Sequence, residues 1–318
     1  MNRTRLAAVA AVTFTSVLWG TTGTAATFAP AAGPLAIGAA ALGIGGLLQA
    51  VIALPALRRA IPALRRHLGL LAVGALAVLV YPLAFYSSMD LAGVAVGSVV
   101  SLASGPLASG VLERFLDRRV LGARWSVAAA LGIAGSVLLS LATTRAPAGA
   151  APVAGIGLGL LAGLSYATFS WAVQALMTRH VPRAAAMGAV FGSGGMLLMP
   201  VLLLTGAPLL ASQQAFLVAG YIALVPMFLG YLLFGFGLMR LPASTATTIT
   251  LIEPAVATVL AVLIVGERLT ALGWAGLVLI GCVPVLLATG SGVSNREAGV
   301  EAPRVAGGEA GEAAAHRK

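Results

Sequence analysis

Residues 242–264, PASTATTITLIEPAVATVLAVLI, carry one ionisable group, Glu253, in 23 otherwise apolar or hydroxyl-bearing positions. A bilayer core about 30 Å thick is crossed by a helix of about 20 such residues. Lipid offers backbone groups no hydrogen-bond partner, so a helix is the conformation that satisfies them. The lone acid falls near the middle, where a charge costs roughly 2.5–3.5 kcal/mol on insertion scales. Pro254 follows it, removing an amide donor and crowding the carbonyl of Thr250. The spacing predicts a bend there and an exposed backbone acceptor. Ala246, Thr250, Glu253 and Ala257 share one face by helical spacing, a narrow polar stripe expected to look into a cavity.

Moving outward, the same composition fills the chain. Of 318 residues, 59% are apolar and 9% charged, with a mean hydropathy of +1.01. Ten segments are long and apolar enough to span: 6–28, 34–57, 68–88, 92–112, 125–143, 153–176, 184–205, 214–237, 242–264 and 270–290. No room remains for a sizeable soluble domain, and the alternating ten-residue pattern of a membrane barrel is absent. The first segment follows Arg3 and Arg5 as a signal peptide would, but its length, Trp19 and the nine segments behind it favour a span. Cys282 is alone and forms no intrachain disulfide; His67, His180 and His316 lie in loops or the tail, leaving no intramembrane histidine for a metal or proton site.

The net charge of +10 does not point to nucleic acid, because the basic residues are scattered in short clusters between segments. With the N-terminus in the cytoplasm, 17 of the 19 basic residues fall inside, and only Arg145 and Arg268 outside. Without the distant Arg304, Arg317 and Lys318 the ratio is 14 to 2, which places both termini in the cytoplasm.

The chain also repeats. Tyr81, Leu83, Met89 and Leu91 recur 150 positions later as Tyr231, Leu233, Met239 and Leu241, with Phe236 for Tyr86; Pro106 recurs at an offset of 148 as Pro254. Five spans per repeat is an odd number, so the second repeat is inverted, the architecture of secondary transporters. The expected organisation is all-α and integral to the membrane: ten helices as two inverted five-helix repeats, 1–146 and 147–291, around a central cavity, with a disordered cytoplasmic tail at 292–318. Thr144 to Pro152 reads as the linker between the halves.

Glu253 has two functional readings, binding a substrate ammonium group or taking up a coupling proton, and one structural reading, a buried acid bonded to a neighbouring helix. Asp90, Glu113, Asp117 and Glu267 stand at segment ends, where water is near. Weaker polar stripes occur in three other spans: Thr13, Ser16, Gly20, Gly23, Thr24 and Thr27 beside Trp19; Ser98, Ser101, Gly105 and Ala108 beside Pro106; and Gly159, Gly163, Tyr166, Ser170 and Gln174. Close helix packing accounts for many such small residues, and the rest would line a pathway. Trp19 and Tyr166 occupy equivalent places in the two halves and are candidate cavity walls, as are Tyr81 and Tyr231, whereas Trp125 and Trp274 begin their segments as interface anchors do.

Trp19-Gly20, Leu164-Ser165-Tyr166-Ala167, Glu253-Pro254 and Gly266-Glu267-Arg268-Leu269-Thr270 together resemble the EamA family of the drug/metabolite transporter superfamily, over residues 6 to about 290. The resemblance implies a ten-helix inverted-repeat fold with a central cavity, often in exporters of amino acids or other small metabolites. Gly105-Pro106 stands where many relatives have Glu-Pro, so Glu253 would act without a paired carboxylate. The expected function is secondary transport of a small metabolite across the cytoplasmic membrane by alternating access, with membrane lipids and the solute as partners, possible proton coupling and no cofactor. Efflux of cationic drugs, a channel and a lipid flippase are the alternatives. Direct use of ATP is not expected, since no G-x-x-x-x-G-K-[ST] loop occurs. Gly192-Ser193-Gly194-Gly195 superficially suits a membrane serine protease, but no intramembrane histidine could activate the hydroxyl. A metal-dependent lipid-phosphate enzyme would need clustered acids.

Overall fold

The structure, a computed structural model, describes residues 3–142, 151–260, 262–263 and 270–289. Most of the linker, the Gly266 to Leu269 part of the turn motif, Arg145, Arg268 and the tail with Arg296, Arg304, His316, Arg317 and Lys318 lie outside the described residues. Among those described there is no strand, and ten helices are long and apolar enough to cross a membrane. They are α1 (Arg3–Ala26), α2 (Pro34–Arg66), α3 (Leu68–Ala92), α4 (Val94–Leu116), α5 (Ala123–Ala142), α6 (Pro152–Thr178), α7 (Arg183–Thr205), α8 (Gln213–Leu238), α9 (Ala243–Leu260) and α10 (Ala271–Ala288). The chain is a multi-pass membrane protein.

The ten spans fall where hydropathy places them, with one marked extension. α2 continues past the expected end at 57 to Arg66, through Pro55 and Pro62. Hydropathy registers only the stretch that lipid must cover, and the added turns carry the exposed Arg58, Arg59, Arg65 and Arg66. Between α3 and α4 the joint is a single residue, Gly93, whose φ of 88° an L side chain rarely adopts.

Spans α3 and α4 pack on α6; α8 and α9 pack on α1; α2 packs on α7 and α5 on α10. Exchanging the first five spans with the last five maps each pairing onto another or onto itself. Lipid tails are as apolar as the side chains, so close backbone approach holds these pairs together. The Gly192 to Gly195 stretch is one such surface: Gly192 meets Ala50, Gly194 meets Val78, Gly195 meets Gly43 and Leu47, and Ser193 points outward. That motif is a packing face.

Ala39–Ile44 in α2 and Ala223–Leu229 in α8 are stretches of π-helix, and the two lie against each other. Such widened turns frequently mark functional sites. Here the α8 stretch supplies acceptors to its neighbours: Trp19 Nε1 of α1 donates to the Pro226 carbonyl at 2.9 Å, and Gln49 Nε2 of α2 to that of Phe228 at 3.1 Å.

Candidate functional site: a carboxyl behind an aromatic wall

α9 is two helices, Ala243–Ile249 and Ile252–Leu260, with a turn at Thr250 and Leu251. The expected bend at Glu253-Pro254 is thus a complete interruption, placed where Pro254 would crowd the Thr250 carbonyl. That carbonyl is not left open, because the Glu253 amide donates to it at 3.0 Å in a tightened turn. Thr250 Oγ1 donates to the Thr247 carbonyl at 2.8 Å, so the Tyr166 hydroxyl, 2.9 Å away, donates to Thr250. This bond ties α6 to the break in α9.

Glu253 is 8% exposed, and its Oε2 is buried without a hydrogen-bond partner among the described residues. It lines a cavity of about 20 Å³ together with Trp19, Thr22, Leu42, Tyr81, Phe85, Tyr86, Met227 and Tyr231. A site of that size holds about one water-sized molecule. The central cavity expected from sequence is therefore closed down to a small chamber, because aromatic rings occupy its volume. Trp19 lies 4.8 Å from Tyr231 and 6.0 Å from Tyr166 between ring centroids, Tyr81 lies 5.6 Å from Tyr166, and Phe169, Phe191 and Phe234 extend the cluster. Each such pair contributes roughly 0.5–1.5 kcal/mol beyond its burial.

Four of the candidate residues, Trp19, Tyr81, Tyr166 and Tyr231, thus converge with Thr250, Glu253 and Pro254. The serines do not join them. Ser98 and Ser101 donate to the carbonyls of Val94 and Gly97 in their own helix, and Ser170 to that of Tyr166. Ser101 also packs α4 against Gly159 of α6. Gln174 works at the α8–α9 turn: its amide donates to the carbonyls of Leu238 and Leu241, and its oxygen accepts from the Ala243 amide. Thr22, Tyr86 and Phe85 were not singled out from sequence. A period of three to four from Trp19 would have reached Thr22 and Thr15, and Tyr86 stands in the repeated motif.

Glu113 departs most from expectation. It is fully buried, and the amide and hydroxyl of Ser244, at the start of α9, donate to its two oxygens at 2.9 and 2.7 Å, with Arg119 at 3.9 Å. Trp125, expected as a lipid anchor, donates to the Ser244 carbonyl at 3.1 Å, whereas Trp274 is 59% exposed as an anchor would be. Side chains from α4, α5 and α6 therefore fix the turn into α9.

Below this turn, at the end of the molecule bearing the α4–α5, α6–α7 and α8–α9 turns, a vestibule of about 830 Å³ opens between Asp117, Arg119, Gln174, Arg183, Leu238 and Arg240. Tyr231, Phe234 and Leu238 on α8, and Tyr166, Ser170 and Gln174 on α6, run from the chamber to this vestibule over about 10–12 Å. The aromatic cluster lies between them.

The EamA-like transporter family matches residues 153–289. One solved crystal structure aligns with 86% of this chain and 94% of its own at a TM-score of 0.70 and 20% identity, a likeness of fold. The uncharacterized transporter YwfM of Bacillus subtilis (strain 168) is 32% identical over 269 residues, 84% of this chain and 89% of the relative. With that identity over that length, the chain belongs to the EamA-like transporter family and is a membrane transporter.

Proposed function

We propose that this transporter exports a small metabolite, an amino acid or related compound, across the cytoplasmic membrane by alternating access of two inverted repeats, 1–146 and 147–291, around Glu253. The observation that carries the reading is the buried Glu253 carboxyl, one oxygen unpartnered, at a broken span and walled by Trp19, Tyr81 and Tyr231. A carboxylate among π-faces suits an ammonium group, by charge and by cation–π attraction, and the same carboxyl can carry a coupling proton. The paired helix contacts support the repeat, since each half presents equivalent surfaces to the other. Both termini lie in the cytoplasm on the distribution of basic residues, so the vestibule faces inward. The closed chamber between the aromatic cluster and the outer turns corresponds to an occluded stage of the cycle.

The aromatic wall also favours a second reading, efflux of larger hydrophobic cations. Comparing metabolites outside cells with and without overexpression, alongside the Glu253→Gln variant, tests the first. Export of an amino acid that the variant abolishes is the expected result. Undiminished export by the variant would remove Glu253 from the mechanism, and resistance to cationic drugs without metabolite export would favour the second reading.

A further inference from the structure

We propose that the vestibule is a binding site for a carboxylate- or phosphate-bearing anion, seated between the guanidiniums of Arg183 and Arg240. Its volume of about 830 Å³ lies in the range of small-molecule sites. Three separate turns each bring one arginine to it, Arg119, Arg183 and Arg240. Two of these converge on one ring: the guanidinium carbon of Arg240 lies 4.2 Å from the Phe236 centroid and that of Arg183 6.0 Å from it. Arg183 Nη1 is further held by the Leu232 carbonyl at 3.4 Å. Stacking on an aromatic face leaves the planar donors of a guanidinium free to grip a carboxylate or phosphate at its edge.

Among the described residues neither Arg183 nor Arg240 is paired with a carboxylate. Of the nearby acids, Asp117 also lines the vestibule and accepts the indole N–H of Trp171 at 3.0 Å through one oxygen, and Glu113 holds Ser244 with Arg119 beside it. Fixing membrane orientation requires only basic residues at the inner end, and the exposed Arg58, Arg59, Arg65 and Arg66 on the extension of α2 already meet that need without lining this cavity. Convergence of cations inside one concavity is a separate feature, and it focuses anions there. The site is distinct from Glu253.

Calorimetric titration of the purified protein in neutral detergent with inorganic phosphate and with citrate, at fixed ionic strength, tests the proposal. Saturable binding is expected, weakened at least tenfold in Arg183→Gln/Arg240→Gln. It should persist in Glu253→Gln and in Arg58→Gln/Arg59→Gln, which removes the same charge elsewhere. A second arm compares melting in nanodiscs of phosphatidylglycerol and of phosphatidylcholine. Free-anion binding assigns the site to a soluble ligand. Stabilisation by phosphatidylglycerol that the Arg183/Arg240 variant lacks, without free-anion binding, assigns the same chemistry to a lipid headgroup. Absence of both effects, or effects of equal size in the two double variants, overturns the proposal.

Discussion

α4 and α9 carry prolines 148 positions apart in the chain, yet Gly105-Pro106 sits in a helix running without interruption from Val94 to Leu116, and Glu253-Pro254 follows a break. Proline alone does not break a span here, since α2, α3, α7 and α10 also run through one. The neighbouring helix differs as well. A Cβ at Gly105 would lie 2.9 Å from Cδ1 of Tyr166, so the Tyr166 ring takes the room that an acid would need. Against Glu253, by contrast, α1 offers Gly20, which brings it against the Glu253 carbonyl and Val256 while the carboxyl turns into the chamber beside Trp19. A carboxylate to pair with Glu253 has no room at position 105.

The largest expected effect separates the halves at their acid. Glu253→Gln is expected to cut flux of the exported solute in proteoliposomes by about 100-fold or more, roughly 2.7 kcal/mol of lost stabilisation, while gel filtration shows an intact fold. Next is the anchor of α9: Glu113→Ala removes two buried hydrogen bonds to Ser244. Losing them should cost about 3 kcal/mol, read as a lowered melting temperature in detergent. Gly105→Ala forces a methyl group toward Tyr166 and should cost about 1–3 kcal/mol; combining it with Tyr166→Ala should relieve much of that cost, which a double-variant cycle measures. Smallest is Tyr166→Phe, which removes the bond to Thr250 and should cost about 1 kcal/mol.

The ten spans were legible in the sequence, because span length is written in hydropathy. Trp19, Tyr81, Tyr166 and Tyr231 could be found because they lie within spans rather than only at their ends, where interface anchors stand. Depth and rotation were less legible. Glu113 lies at a segment end, where linear position suggests water, yet the turn carrying Arg119 and the indole of Trp125 fold over the start of α9 and enclose it. Ser98, Ser101 and Ser170 follow a polar stripe, but a hydroxyl in a helix finds its acceptor one turn back, and the stripe marks packing there. The size of the chamber depends on how side chains from five spans interleave, which no single segment records. Arg183 and Arg240 are far apart in sequence, and only the fold brings both to Phe236.

The central claim, that the chamber at Glu253 opens in turn to each side of the membrane, can be tested without knowing the solute. Cys282 is the single cysteine, so Cys282→Ser gives a thiol-free background into which Thr22→Cys, on the chamber wall, is introduced. Labelling with a membrane-impermeant thiol reagent is then followed in right-side-out and in inverted vesicles. Modification from both sides is the expected result; a thiol that reacts from neither side, or from one side only, would contradict the account.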